Sequence, residues 1–428
     1  MRIALVARCS NPLAPHATPE SAAEAARVTS LAQALADLGH RITIYARRDS
    51  RALPDSAIVA PGVTVEHVTA GPPSPLDADK LTPHLPEFAN YLAQRWRRTP
   101  PDMIHAFSWT MGLAALAGAR GLNVPVVQTF TSLGAAEQRH GRSGPPPDAR
   151  VRLESCLARS ADVVLASSTE ELADLARLGV SRAKLRMVPC GVDTTEFSPE
   201  GPAAERTKRP RLLAAQPLAD PRSLGIAVRA LAEIPEAELV IMGGPDQEMG
   251  QDPAYQNLLR MARKLGVADR LVWTGHVAPG DLPALLRSAD LLVSTSAYEP
   301  VGTMAIQAMA SGTPVVTSAV GAEQDAVIDM TTGLLTPPAT PAQLALRIRK
   351  LLANSLRLEA YGIAAADRAK SRYAWERIGR ETLNAYESAA RRTAATAAVS
   401  AAPARDAEPI RTAPAAQVRP ARARAARA

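Results

Sequence analysis

A chain of 428 residues, 46% hydrophobic and 21% charged, has the length for two domains with large cores and the composition of a soluble globular protein. No run of about eighteen apolar residues occurs, so no membrane-spanning helix is expected. The net charge of +7 belongs to the carboxyl-terminal end: eight Arg and two acids lie between Arg391 and Ala428, leaving 41 basic and 40 acidic residues in the body.

The amino terminus, MRIALVARCSNP, is too short in its apolar part for a secretion signal and reads as a first buried strand. Apolar runs at 3–7, 42–46, 63–68, 103–107, 124–130 and 163–167 read as strands. Helical patterns at 20–38, 82–98, 109–120, 148–159 and 169–178 fall between most of them. Near-continuous apolar strands alternating with helices point to a parallel sheet covered on both faces. A polar, Pro-rich stretch at 198–210 separates this set from a second one, with strands at 211–215, 238–243, 270–275, 291–296, 314–318 and 333–337. The expected fold class is α/β, two doubly wound Rossmann-like domains facing across a cleft, with ligands at the carboxyl ends of the strands. Loops rich in Pro and Gly are expected at 71–86 and 141–148.

Three cysteines, Cys9, Cys156 and Cys190, lie far apart and fit no metal spacing. They read as reduced, and the compartment as cytoplasmic. Asp77, Ala78 and Asp79 form a D-x-D triplet, but no strand precedes it, and no metal is assigned there. No Ser-His-Asp order and no His/Asp metal cluster stands out. The Ala/Pro/Arg segment from 391 onward has too few large apolar residues to offset its ordering entropy and reads as disordered. Its charge suits peripheral contact with an anionic membrane surface, or a plain solvated appendage. No aromatic residue interleaves its arginines, which argues against nucleic acid.

The most informative segment is 298–316, YEPVGTMAIQAMASGTPVV. It places Glu299 at the mouth of a turn, Gly302 after it, and a helix from about Thr303. Gly312 to Pro314 end that helix before a buried apolar run. A carboxylate beside bare N–H groups at a helix N-terminus suits a ligand carrying both hydroxyls and phosphate. A helix-strand unit with a solvated Glu would give the same spacing.

The segment resembles the E-P-F-G-x(4)-E-A-M-A-x-G-x-P-V-V signature of retaining GT-B glycosyltransferases, the nucleotide-sugar-dependent family that includes sucrose and mycothiol biosynthetic transferases. Further matching pieces are MRIALV, RITIYARRD, IHAFSW, VPVVQTF, VPCGVD, VIMGGPD and LVWTGHV, in the family's order. The resemblance covers the chain from Met1 to about residue 390. It implies an N-terminal acceptor-side domain at 1–197, a nucleotide-sugar domain at 198–375, and a helix at 376–390 crossing back to the first domain, before the tail at 391–428.

The resemblance implies further that Glu299 contacts the donor sugar hydroxyls and that Val301, Gly302 and Thr303 hold sugar and phosphate. The family's ribose-binding Glu is Gln307 here, which still accepts through its amide oxygen but without charge. Arg222 takes the phosphate-clamping Lys position, and Pro217 the Arg position beside it. Gly243 and Gly244 match a close-approach turn against the nucleotide, and the backbone near His276 would line the base pocket. In the first domain His105 matches a family histidine and is placed with Glu299 and Arg222 in the catalytic set. A histidine packed in the core is the plainer reading of His105. The family's Gly-Gly pair is Ala22 and Ala23 here, and its reacting-centre His is Thr131.

The expected function is retaining transfer of a hexose from a nucleotide-diphosphate sugar to a hydroxyl acceptor in carbohydrate metabolism, with no bound cofactor and no metal. The changes at Ala22, Ala23, Thr131, Pro217 and Gln307 support a second reading. In it, a protein of the same fold binds nucleotide or sugar, or serves a pathway partner, without efficient transfer.

Overall fold

The computed structural model describes residues 1–8, 19–76, 78–141, 148–214, 220–242, 252–337 and 340–401. The first sheet contains β1 (Arg2–Ala7), β2 (Arg41–Arg47), β3 (Ser56–Ala60), β4 (Val63–Val68), β5 (Met103–Phe107), β6 (Val126–Thr129), β7 (Val163–Ala166) and β8 (Leu185–Met187). Their spatial order is β3-β4-β2-β1-β5-β6-β7-β8. All pairs are parallel except β3 on β4. The second sheet contains β9 (Arg211–Ala214), β10 (Glu238–Ile241), β11 (Leu271–Trp273), β12 (Leu291–Ser294), β13 (Val315–Ser318) and β14 (Gly333–Thr336), parallel in the order β11-β10-β9-β12-β13-β14.

The helices of the first half are α1 (Pro19–Asp37), α2 (Ala78–Leu81), α3 (Leu85–Arg98), α4 (Trp109–Gly118), α5 (Gly134–Arg139), α6 (Asp148–Ser160) and α7 (Thr169–Arg177). Those of the second are α8 (Pro221–Ala232), α9 (Pro253–Lys264), α10 (Leu282–Arg287), α11 (Thr303–Ala310), α12 (Glu323–Ala326), α13 (Pro341–Leu352), α14 (Ser355–Tyr373) and α15 (Trp375–Ala401). Central strands such as β5, β7, β9 and β12 are buried at every residue. That is why they read as unbroken apolar runs: helices cover both faces of each sheet. In the first half Val28 and Leu35 of α1 cover one face, and Phe88, Leu92 and Trp96 of α3 the other.

Two strands were not anticipated. Pro61 and Gly62, with Gly62 at φ +77°, turn the chain into the β3–β4 hairpin. The strand β8 is three half-buried residues at the sheet edge and carries no alternation to read. The 71–86 stretch, expected as loop, holds α2 and one 3-10 turn, Thr82–His84. Most of 141–148 lies outside the described residues.

The passage between the halves also differs from a cut at 197, because Cys190, Val192 and Phe197 already pack in the second core. The chain returns at the same place. Val192 N–H donates to Tyr373 O at 2.8 Å, and a Cβ on Gly191 would meet the Trp375 ring at 2.5 Å. From Trp375, α15 crosses back onto α1 and buries Ile378, Ala385, Tyr386 and Ala389 in the first core. It runs on to Ala401, so the tail expected from 391 begins as helix. The alanines around Arg391 and Arg392 are strong helix formers and extend a helix already anchored by packing.

In each sheet the strand order reverses once, between β1 and β5 in the first and between β9 and β12 in the second. Crevices beside the carboxyl ends of such strand pairs are the ligand sites of doubly wound folds. The loops after β7 and β13 touch one another, so the carboxyl ends of the two sheets face across a shared cleft.

Candidate active site

Residues 298–303 form the turn that leaves β12 for α11. Gly302 adopts φ +71°, the left-handed region, and a Cβ there would lie 3.1 Å from Ala322 Cβ. Gly302 N–H donates to Glu299 Oε1 at 3.1 Å, and Ala322 N–H donates to Glu299 O at 2.8 Å. A Cβ on Gly321 would sit 1.9 Å from Glu299 O. Two glycines therefore let the β12 and β13 loops interlock around Glu299. The helix α11 starts at Thr303, leaving the N–H groups of its first turn without intrahelical acceptors and its positive dipole end at the cleft. Gln307 lies one turn further on, half-buried, on the side of that opening. Val301 packs against the second core.

Across the switch point, α8 begins with Asp220 as its cap, whose side chain accepts from Ser223 N–H at 3.2 Å. Thr295 Oγ1 donates to Ser223 O at 2.8 Å and ties this helix start to the end of β12. Arg222, between them, is exposed and makes no ion pair among the described residues. Arg222 and Glu299 thus flank the β9–β12 reversal from opposite sides. His276 is exposed after β11, at the sheet edge beyond β10. Gly243, Gly244 and Pro217 lie outside the described residues.

Below the Glu299 turn is an acid that the sequence did not single out. Glu323 opens α12, is 2% exposed, and accepts from Ser294 Oγ at 2.9 Å and from the Thr317 hydroxyl. Burial, followed by the nearby Glu299 charge, pushes its carboxyl up to about 8, while the two hydroxyl bonds oppose the rise.

The first half corrects one expectation. His105 is buried in β5, with Nδ1 2.8 Å from Tyr386 Oη of α15 and Nε2 2.8 Å from Thr129 Oγ1. Burial, with the Arg27 charge second, pushes its imidazole down to about 3. A neutral ring with both nitrogens engaged cannot exchange a proton with a substrate. His105 is a core histidine that anchors the crossover helix, not a member of the catalytic set.

Ala22 and Ala23 lie in the first turns of α1 rather than in an open loop. Next to them Glu24 is buried and accepts from Arg8 N–H at 3.2 Å, just after β1. Burial raises its pKa and Arg8 opposes the rise. Thr131 is half-buried in the turn after β6. At the β5 side of the reversal Ser108 holds φ +69°, ψ 161°, a region that disfavours any side chain.

Among the described residues, three contacts join the halves at this cleft. Tyr298, beside Glu299, inserts among Phe130, Leu133 and Ala136 of the first half and stacks on His140. Gly321 N–H donates to Glu170 Oε2 at 2.7 Å, and Glu170 also binds Arg139 and His140. Asp325 accepts from Thr169 N–H at 2.7 Å and Thr169 Oγ1 at 2.8 Å. Tyr298 opens the 298–316 segment, whose pattern alone assigns it no role. Glu170 and Asp325 carried no signal, since only folding brings their loops together. Among the described residues no group of His, Cys, Asp and Glu could hold a metal ion.

Comparison with known proteins fits this geometry. Residues 24–191 match the model described as "Glycosyl transferase 4-like domain", and residues 206–368 match "Glycosyl transferases group 1". The chain is 33% identical to the D-inositol 3-phosphate glycosyltransferase of Acidothermus cellulolyticus over 421 residues, covering 92% of each chain. The chain belongs to the GT-B glycosyltransferase family. A second relative of the same name, from Xylanimonas cellulosilytica, is 32% identical over 91% of this chain and 97% of its own. Among solved structures, sucrose-phosphate synthase from Thermosynechococcus elongatus superposes with a TM-score of 0.80 at 27% identity, over 90% of this chain and 98% of that one. Anabaena HepE in complex with UDP-glucose shares the fold, with a TM-score of 0.68 at 18% identity over 91% of this chain and 100% of its own. These matches make this transferase an enzyme-family member of two parallel-sheet domains; no helix among its described residues is long and apolar enough to cross a membrane.

Proposed function

We propose that this transferase moves a hexose, with retention of configuration, from a nucleotide-diphosphate sugar to a hydroxyl acceptor. The observation that carries this reading is the Glu299–Gly302–Thr303 turn at the β9–β12 reversal, which puts a carboxylate and an open helix N-terminus on one small surface. Glu299 orients the sugar hydroxyls. The first turn of α11 and the Arg222 guanidinium stabilise the diphosphate as its charge grows, without a metal. Gln307 holds the ribose, and the Gly243–Gly244 turn and the backbone near His276 receive the nucleotide. The C1–O bond to the diphosphate breaks on the face where the acceptor oxygen bonds, and a diphosphate oxygen takes the acceptor proton. UDP-glucose as donor and an inositol phosphate as acceptor are the classes suggested by the names of its relatives. The test is incubation of the full chain with UDP-glucose and inositol phosphate, with the anomeric configuration of any product read by NMR. A product of retained configuration, absent in Glu299→Ala, supports the reading; an inverted product refutes it.

A second reading, a protein of this fold that binds donor but transfers poorly, is favoured by the Glu24 carboxylate on Arg8 N–H and by the uncharged Gln307. The first occupies a backbone N–H just after β1, and the second weakens each hydrogen bond to a ribose hydroxyl. Gln307→Glu separates the two: tighter donor binding without product formation favours the impaired transferase.

A further inference from the structure

The transfer mechanism leaves one carboxyl group of the site unused. Glu323 is buried between β12 and β13, and Ser294 and Thr317 both place their hydroxyls on its Oε2. That leaves Oε1 as the oxygen free to carry a hydrogen. Glu299, from the loop after β12, lies beside it: Ala322, the residue before Glu323, donates its N–H to Glu299 O at 2.8 Å, and a Cβ on Gly302 would lie 3.5 Å from Glu323 N. Around it, Glu170 of α7 accepts from Gly321 N–H, Asp325 of its own helix accepts from Thr169, and the Arg368 guanidinium of α14 donates to the carbonyls of Asp325 and Ala326 at 2.8 and 2.7 Å. No cation pairs with Glu323 among the described residues. Two ionised carboxyls at this mouth would both confront a donor that carries a diphosphate.

We propose that Glu323 is a positioning residue for Glu299: buried on two hydroxyls with no paired cation, it keeps its own proton at neutral pH, so that the donor sugar meets the negative charge of Glu299 alone. This rests on the donor-site reading above. The upward shift of Glu323 agrees with it, as does the lack of a cation paired with Glu323 among the described residues. As pH rises, ionisation of Glu323 adds a second negative charge and weakens donor binding.

The experiment is calorimetric titration of the full chain with UDP-glucose from pH 6.5 to pH 9, for wild type, Glu323→Gln and Glu323→Leu. The wild type is expected to lose affinity severalfold through one alkaline ionisation. Glu323→Gln, which keeps an acceptor for both hydroxyls, is expected to give a flat profile. Glu323→Leu should bind more weakly than Glu323→Gln throughout, because it strands both hydroxyls. Identical profiles for wild type and Glu323→Gln overturn the proposal.

Donor-free stability gives an independent readout. An unfolded Glu ionises near 4.5, whereas native Glu323 holds its proton to about 8. The stability contributed by Glu323 is therefore full below 4.5 and is lost as pH rises through 8. The urea midpoint of Glu323→Gln should rise relative to wild type across that window, and a constant difference refutes the retained proton. If UDP-glucose binds at no pH, the donor reading falls and the positioning role falls with it. The stability difference then still reports on the proton itself.

Discussion

Tyr298 of the second half stacks on His140 of the first, with ring centroids 5.1 Å apart and planes 16° from parallel. Because Tyr298 precedes Glu299 directly, the first half helps fix the turn that presents the Glu299 carboxylate. Tyr298 is 6% exposed and packs against Phe130, Leu133 and Ala136. Tyr298→Ala should cost about 3 kcal/mol of stability by emptying this site. Tyr298→Phe, which keeps the ring in this site, should cost less than about 1 kcal/mol, the cost of a shape-conserving swap. Urea denaturation gives both values. Tyr298→Ala should also weaken donor binding more than Tyr298→Phe does.

His105 sets part of the acid limit of the fold. Its native pKa, about 3, lies below the unfolded value of 6.5. The unfolded chain therefore takes up a proton that the native state refuses. Stability from this group is present above pH 6.5 and is lost as pH falls towards 3. His105→Asn should be less stable at neutral pH but should lose less between pH 6.5 and pH 4. Urea midpoints across that range, compared with wild type, check the slope.

Ser108 carries backbone strain at the end of β5. Its φ of +69° with ψ 161° suits glycine, and strain of this kind costs about 1–3 kcal/mol. Ser108→Gly should raise the melting temperature, whereas Ser108→Ala should not. The expected gain is about 1 kcal/mol, since Gly also loses more backbone entropy and the hydroxyl contact to Thr110 disappears.

Much of the fold was legible because doubly covered parallel strands leave continuous apolar runs. The strands β1, β5, β7, β9 and β12 were visible for that reason. The strands β3 and β8 were not: one belongs to an exposed-edge hairpin, and the other is three half-buried residues. The Glu299 turn was legible because its parts are local in sequence. The Glu323 carboxyl was not, because the β13 loop reaches Glu299 only through tertiary packing at Gly321 and Gly302. His105 showed the opposite problem. A histidine in a strand reads alike whether it faces a cleft or a helix, and only α15 bringing Tyr386 against it decides the matter.

Arg222 and Asp220 separate binding from stability at the start of α8. Arg222→Ala removes an exposed side chain and should leave the melting temperature unchanged. It should weaken UDP-glucose binding by about 2 kcal/mol, roughly thirtyfold in Kd, while leaving uridine binding alone. Asp220→Ala should cost about 1 kcal/mol of stability through loss of the cap. Calorimetry and thermal denaturation of the two variants give these values.

The most direct test of the donor site is calorimetric binding of UDP-, GDP- and ADP-sugars to the full chain and to Glu299→Ala. A working site predicts micromolar binding of one donor by the wild type and loss of that binding in Glu299→Ala. Absence of binding for every donor up to millimolar concentration, or equal binding by Glu299→Ala, would contradict the assignment of this turn as the donor site.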